Sequence, residues 1–83
     1  MKLKYFAWVR ERIGTPEEDV DLPAGVETAA DLIRWLSGRG DGYAHAFEQP
    51  EVIRVAADRT HVPHGTRVRE AREVALFPPM TGG

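Results

Sequence analysis

The sequence predicts an α+β domain, a mixed β-sheet with one main helix packed on one face. Three observations carry that prediction. Residues 2–7 and 74–77 read as apolar-rich strands near opposite ends of the chain. Between them lies a single long stripe of helical period, introduced by a capping signal at Thr28. The chain has 83 residues, 42% of them hydrophobic, enough for one domain with a modest core.

Lys2-Leu3-Lys4-Tyr5-Phe6-Ala7 alternates, with Leu3, Tyr5 and Ala7 on one face and Phe6 on the other with the lysines. At Trp8 the period changes. Trp8, Val9 and Ile13 fit one side of a short helical turn, and Gly14 can close it in the left-handed conformation. Thr15-Pro16 marks a turn. Residues 18–22 alternate again, Val20 and Leu22 one way and Asp19 and Asp21 the other, as in a strand solvated on one face. Pro23-Ala24-Gly25 breaks it. Thr28 is a good N-cap, with Asp31 three residues on as in a capping box. Ala29, Leu32, Ile33 and Leu36 then form one apolar stripe, flanked by Trp35 and ended by Gly38 or Gly40.

In residues 41–48, Tyr43, Ala44 and Phe47 suit a second short helical turn against the core, and Pro50 stops it. Residues 52–56 are strongly β-prone. Asp58-Arg59 fits a tight turn into Thr60-His61-Val62, and Pro63 and Gly65 open a loop. Val74-Ala75-Leu76-Phe77 is a buried strand running directly into Pro78. The order is β-β-α-β-β-β. Placing the late strands beside the first gives the β-grasp arrangement, with the last strand in the sheet centre and Phe77 anchored there. Residues 1–77 then form the domain, and residues 78–83 an extended tail.

No apolar run is long enough to span a membrane, and no secretory leader is visible. With no cysteine there is no disulfide, no thiolate nucleophile and no Cys-ligated metal. A formal net charge of −2 is too weak to point to nucleic acid or anionic lipid. A cytoplasmic location fits this composition. The acids gather early, from Glu11 to Asp31, and arginines later, from Arg54 to Arg72, as a solvated surface or an electrostatic docking face.

The sequence ends Phe77-Pro78-Pro79-Met80-Thr81-Gly82-Gly83. Glycines without Cβ make a thin backbone of wide conformational range, suited to threading a narrow channel and presenting a carboxylate to another protein. Pro78 and Pro79 stiffen the base of the tail. The six residues after Phe77 reach about 20 Å.

Two segments carry a family resemblance. Phe6-Ala7-Trp8-Val9-Arg10-Glu11, followed by Gly14, resembles a Phe-Ala-x-Val-Arg-Glu segment, and Glu73 to Gly83 resembles an ending Glu-Val-Ala-Phe-Phe-Pro-Pro-Val-Thr-Gly-Gly. Both belong to the small, sulfur-carrier subunit of molybdopterin synthase, a ubiquitin-like β-grasp family, and the likeness covers nearly the whole chain. The chain departs from it where Glu70-Ala71-Arg72 replaces an Asp-Gly-Asp turn, and where Ala56-Ala57 replaces a Val-Asn pair.

The resemblance implies a carrier that performs no catalysis alone but is a subunit of a sulfurtransferase complex. A ubiquitin-activating-type adenylyltransferase would use ATP to adenylate the Gly83 carboxylate, and a sulfur donor system would convert it to a thiocarboxylate. The tail, with Gly82, Thr81, Met80, Pro79 and Pro78 lining its path, would enter the large synthase subunit and donate sulfur to cyclic pyranopterin monophosphate. Two such transfers build the dithiolene that holds molybdenum. The catalytic groups would sit on the large subunit, in a heterotetramer of two small and two large subunits. No cofactor or metal is expected on this chain, and neither nucleic acid nor membrane as a partner.

Phe77 is either a core residue or a large-subunit contact. His61 and Val62 are either packing residues or partner contacts. His61-x-x-His64 reads as two separate histidines rather than a metal pair, His45 as a helix-surface residue, and Trp8 and Trp35 as packing residues. Arg10-Glu11-Arg12 is a solvated turn or a partner contact. Rival functions are a sulfur carrier for thiamine thiazole or tRNA thiolation, a protein modifier joined through Gly83 to lysines, and an interaction domain with an idle tail.

Overall fold

A computed structural model describes residues 1–79. Five strands form one sheet in the order β2-β1-β5-β3-β4. They are β1 (Lys2–Tyr5), β2 (Glu17–Asp19), β3 (Arg54–Ala57), β4 (Thr60–Val62) and β5 (Glu73–Phe77). Three helices, α1 (Ala7–Ile13), α2 (Ala29–Ser37) and α3 (Asp41–Ala46), and a 3₁₀ turn at Pro50–Val52 complete the described residues. β1 runs parallel to β5, and the other neighbouring pairs are antiparallel. This is the mixed sheet expected, with β5 at its centre.

The main helix forms as its sequence dictates. The Thr28 hydroxyl accepts from the Asp31 backbone N–H at 3.1 Å, and the Asp31 carboxylate accepts from the Thr28 N–H at 3.1 Å. Two otherwise unpaired donors of the first turn are thereby satisfied. Ala29, Leu32, Ile33 and Leu36 are buried against Leu3, Tyr5, Val55, Val74 and Leu76 of the sheet.

The first strand ends earlier than its alternation implies. Phe6 remains extended, but Ala7 turns to φ 52°, and the Phe6 carbonyl accepts from Val9 and Arg10 to open α1. Ala7 therefore leaves the Leu3 and Tyr5 face. Gly14 closes α1 at φ 96°, as its glycine predicts. α3 is rotated from the sequence reading: Ala46 and Phe47 are buried, whereas Ala44 is exposed. The rotation brings Gly42 onto the end of α1, where a Cβ would lie 2.5 Å from the Arg12 carbonyl oxygen. Only glycine permits that approach. Asp58 and Arg59 both have positive φ, 47° and 71°, giving the tight β3–β4 turn expected.

The departure at Glu70-Ala71-Arg72 leaves the entry to β5 well held. One Asp58 carboxylate oxygen accepts from the backbone N–H groups of Arg72 and Glu73 at 3.0 and 3.1 Å. Nearby, the Arg69 guanidinium donates to the carbonyls of Leu22, Pro23 and Val26 at 2.8–3.1 Å, tying the loop before α2 to the approach of β5.

Glu18, within the acidic early stretch, points inward. One of its oxygens accepts from the hydroxyls of Tyr5 and Tyr43 at 2.7 and 2.6 Å, and the other lies 3.1 Å from the Arg39 guanidinium. The cluster joins β1, β2, α3 and the segment after α2. Burial opposes the Glu18 charge, but hydrogen bonds from Tyr43, Tyr5 and Arg39 outweigh it and hold the carboxyl below its ordinary value. Burial, then the hydrogen bond to Glu18, pushes the Tyr5 hydroxyl up. Tyr43 is raised by the same causes.

The signs of these shifts fix a pH window. The Glu18 contribution is present above the ordinary carboxylate range and is lost as pH falls through the lowered value. The tyrosine contribution is complete below about pH 10 and is lost as pH rises above that. Glu18→Gln is expected to lower stability by about 2 kcal/mol at neutral pH, because it replaces charge-assisted hydrogen bonds with neutral ones. Urea unfolding at pH 7 and pH 3 measures this. The cost should shrink at the lower pH, and an equal cost at both would refute the assignment.

Candidate functional site

The base of the tail is built by the central strand. Val74 and Leu76 are fully buried on the helix side of the sheet. Period-two alternation therefore turns Glu73, Ala75 and Phe77 to the opposite side, where each is half-buried. Leu76 is held between Tyr5 of β1 and Val55 of β3, and Phe77 lies opposite Arg54. Of the two readings open for Phe77, the structure gives it a place on the face away from the helices. The position of the last strand residue is fixed from both sides, so the chain leaves the sheet at a defined point.

Phe77 packs against His61 with ring centroids 5.3 Å apart and an edge-to-face angle of 65°. His61 stands opposite Ala56, on the same face as Arg54 and Phe77. Val62 does not join them. It opposes Val55, turns to the helix side and packs against the edge of the core. The two neighbours His61 and Val62 therefore present opposite faces, and only His61 accompanies Phe77.

Phe6, which the sequence reading of the site does not include, also belongs to this surface. Its N–H donates to the Leu76 carbonyl at 3.2 Å, which sets it at the Phe77 end of the sheet. At 45% exposure it stands out as an exposed large hydrophobic residue. The available signal was the alternation of β1, which puts Phe6 on the lysine face, where a large apolar side chain is unexpected in a solvated surface. Arg54, exposed and directly opposite Phe77, is a second addition that only the strand register reveals.

The face divides along its length. At the far end, Lys4 pairs with Glu73 at 3.4 Å and Lys2 with Glu17 at 3.5 Å. At the tail end stand Phe6, Phe77 and His61, with Arg54. An apolar, aromatic area beside the exit of the chain can seat a partner while the segment beyond extends into it.

Pro78 and Pro79 are half-buried, immediately past β5. Met80, Thr81, Gly82 and Gly83 lie outside the described residues. The imidazoles of His61 and His64 are engaged separately, since His64 Nε2 lies 2.7 Å from the Ile53 carbonyl oxygen. His45 is exposed on α3, as expected. Trp8 and Trp35 pack at the core margin, with the Arg12 guanidinium 4.3 Å over Trp8 and that of Arg39 5.0 Å over Trp35. Of Arg10-Glu11-Arg12, the last is not free: it also donates to the His45 carbonyl at 3.2 Å. Among the described residues, no helix is long and apolar enough to cross a membrane.

Comparison with known proteins agrees with this geometry. The chain matches the ThiS family over residues 3–83. The molybdopterin synthase sulfur carrier subunits of Haemophilus influenzae and Escherichia coli are each 34% identical to it over 83 residues, covering 100% of this chain and 99% of the relative. The crystal structure of small archaeal modifier protein 1 of H. volcanii superposes with a TM-score of 0.71 at 27% identity, covering 96% of this chain and 97% of that one. With family match, full-length relatives and fold in agreement, the chain belongs to the ThiS family of β-grasp sulfur carriers.

Proposed function

We propose that this chain is the sulfur-carrier subunit of a molybdopterin synthase. The observation that supports it most directly is its full-length identity, 34%, to two relatives of that name. The placement of the tail base supplies the physical account. β5 fixes the exit point, and the Phe6, Phe77 and His61 surface docks on the large subunit, within reach of which the tail carries Gly83.

The chemistry resides in one carboxylate. A carboxylate is a poor electrophile, so an activating enzyme of the ubiquitin-activating type joins Gly83 to AMP with release of pyrophosphate from ATP. A sulfur nucleophile from the donor system displaces AMP and leaves a thiocarboxylate. That sulfur is itself a nucleophile, so the chain needs no cysteine, and it has none. In the large subunit it attacks cyclic pyranopterin monophosphate, and the carrier returns as a carboxylate after hydrolysis.

Intact mass spectrometry of the chain from a host strain lacking the large subunit tests this reading, because the charged carrier then accumulates. The expected result is one oxygen replaced by sulfur, located on Gly83 by fragmentation. An unmodified carboxylate in that strain would overturn it. A second reading, a protein modifier, is favoured by the similarity to small archaeal modifier protein 1. An isopeptide bond from Gly83 to a lysine of another protein would establish that one.

A further inference from the structure

The tight β3–β4 turn carries a residue that its backbone does not favour. Both central positions are left-handed, Asp58 at φ 47° and Arg59 at φ 71°, a pattern that ordinarily takes glycine second, as in Asp-Gly. Asp58 suits its place. Aspartate tolerates this region, and its carboxylate accepts from the backbone N–H groups of Arg72 and Glu73. Arg59 has no such compensation. It is exposed, its Cβ opposes the conformation, and its guanidinium has neither an ion pair nor a hydrogen bond among the described residues.

Arg72 is also exposed, and its guanidinium is likewise without a partner among the described residues. The two arginines line one open groove of about 450 Å³ with Asp58 and Glu73. Both carboxylates are engaged, Asp58 by the backbone and Glu73 by Lys4 at 3.4 Å. Two guanidiniums, each with a planar fork of donors, are left to water. We propose that this groove binds an acidic segment of the docking partner, whose carboxylates pair with Arg59 and Arg72. The inference rests on the reading that the sheet face away from the helices seats the large subunit of molybdopterin synthase.

Position and chemistry select that occupant. Glu73 belongs to the face away from the helices and lies at the opposite end of β5 from Phe77, about 13 Å along the strand. A partner patch of standard size, about 800 Å², is about 30 Å across and covers both. Because the groove is open, a free anion there stays hydrated and screened, and surface guanidiniums retain it poorly. A carboxylate carried by a protein already seated on Phe6 and Phe77 meets the same guanidiniums at high effective concentration. The arginine fork matches a planar carboxylate through two parallel hydrogen bonds. Charge pairs at the rim of an interface chiefly speed association and fix register. Arginine in this turn therefore costs stability and places a cation at the hairpin tip, where docking uses it.

Calorimetric titration of the full-length chain into the large subunit at 50 mM and 500 mM NaCl tests the proposal. Arg59→Gln and Arg72→Gln are each expected to weaken binding about fivefold at the lower salt, and the double variant about 20-fold. At the higher salt these differences should fall below about twofold. Arg59→Gly gives the sharper contrast. It should bind as weakly as Arg59→Gln yet melt about 4 °C above wild type, because glycine fits φ 71°. Arg34→Gln, exposed on α2 in the helix layer, should bind as wild type does. Wild-type affinity and salt dependence in the double variant overturn the inference alone. So does an Arg59→Gly protein that melts below wild type and binds normally. Binding of inorganic phosphate by the isolated chain, lost in the double variant, would also overturn it, by making the groove a site for free anions. Absence of binding by wild type at either salt overturns it together with the docking reading.

Discussion

A chain extended by one residue past Gly83, or shortened by removing Gly83, is expected to fold and bind the large subunit as wild type does, and to lose sulfur transfer. The fold has no stake in the change. Among the described residues Leu76 is the last buried hydrophobic one, and the Phe6, Phe77 and His61 surface lies wholly before residue 78. The proposed chemistry depends on it entirely, because its reacting group is the Gly83 carboxyl. One extended residue shifts that group by about 3.5 Å, well beyond a reacting distance. Misplacement by about 1 Å can already cost 100-fold, so a loss greater than about 100-fold is expected for either variant. The measurement is product formed per carrier in a reconstituted reaction with the large subunit and activating enzyme. Binding and thermal unfolding are followed in parallel. Wild-type conversion by the extended variant would remove the terminal carboxyl from the mechanism.

What the sequence disclosed follows the range of its signals. Thr28 and Asp31 specify a helix start through contacts three residues apart, and the Ala29, Leu32, Ile33 and Leu36 stripe needs only the helical period. Asp58-Arg59 specifies a hairpin within two residues. These local features were legible. The end of β1 was not, because Phe6 and Ala7 continue its alternation while α1 imposes the break. Glu18 reads as one acid among several on a solvated strand. Its inward direction depends on Tyr5, Tyr43 and Arg39, which only the finished fold brings together. The rotation of α3 depends likewise on the contact of Gly42 with α1. In the candidate site, the residue types of the tail and its placement after a central strand were legible. The separation of His61 from Val62 and the arrival of Phe6 beside that exit required strand register. Phe77 was ambiguous for the same reason, since an aromatic at the end of a strand fits either face until its neighbours are known.

Two adjacent substitutions separate fold from docking. Leu76→Ala is expected to cost about 3 kcal/mol of stability, because Leu76 is fully buried between Tyr5 and Val55 and its removal leaves a cavity in the central strand. For a domain of this size that lowers the melting temperature by about 12–24 °C. Phe77→Ala is expected to cost less than about 1 kcal/mol, since it removes a half-buried ring from a surface contact rather than from the core. Its effect should appear in docking, where loss of a central aromatic anchor weakens affinity for the large subunit by about 30-fold or more. Urea unfolding and calorimetric titration on both variants give the two readouts. A Phe77→Ala protein that docks normally would move the interface elsewhere. One that unfolds as readily as Leu76→Ala would make Phe77 a core residue. The expected crossing, with stability lost at one residue and binding at the next, follows from the two-residue period of a strand whose faces meet different environments: the helix layer on one side, and the proposed docking surface on the other.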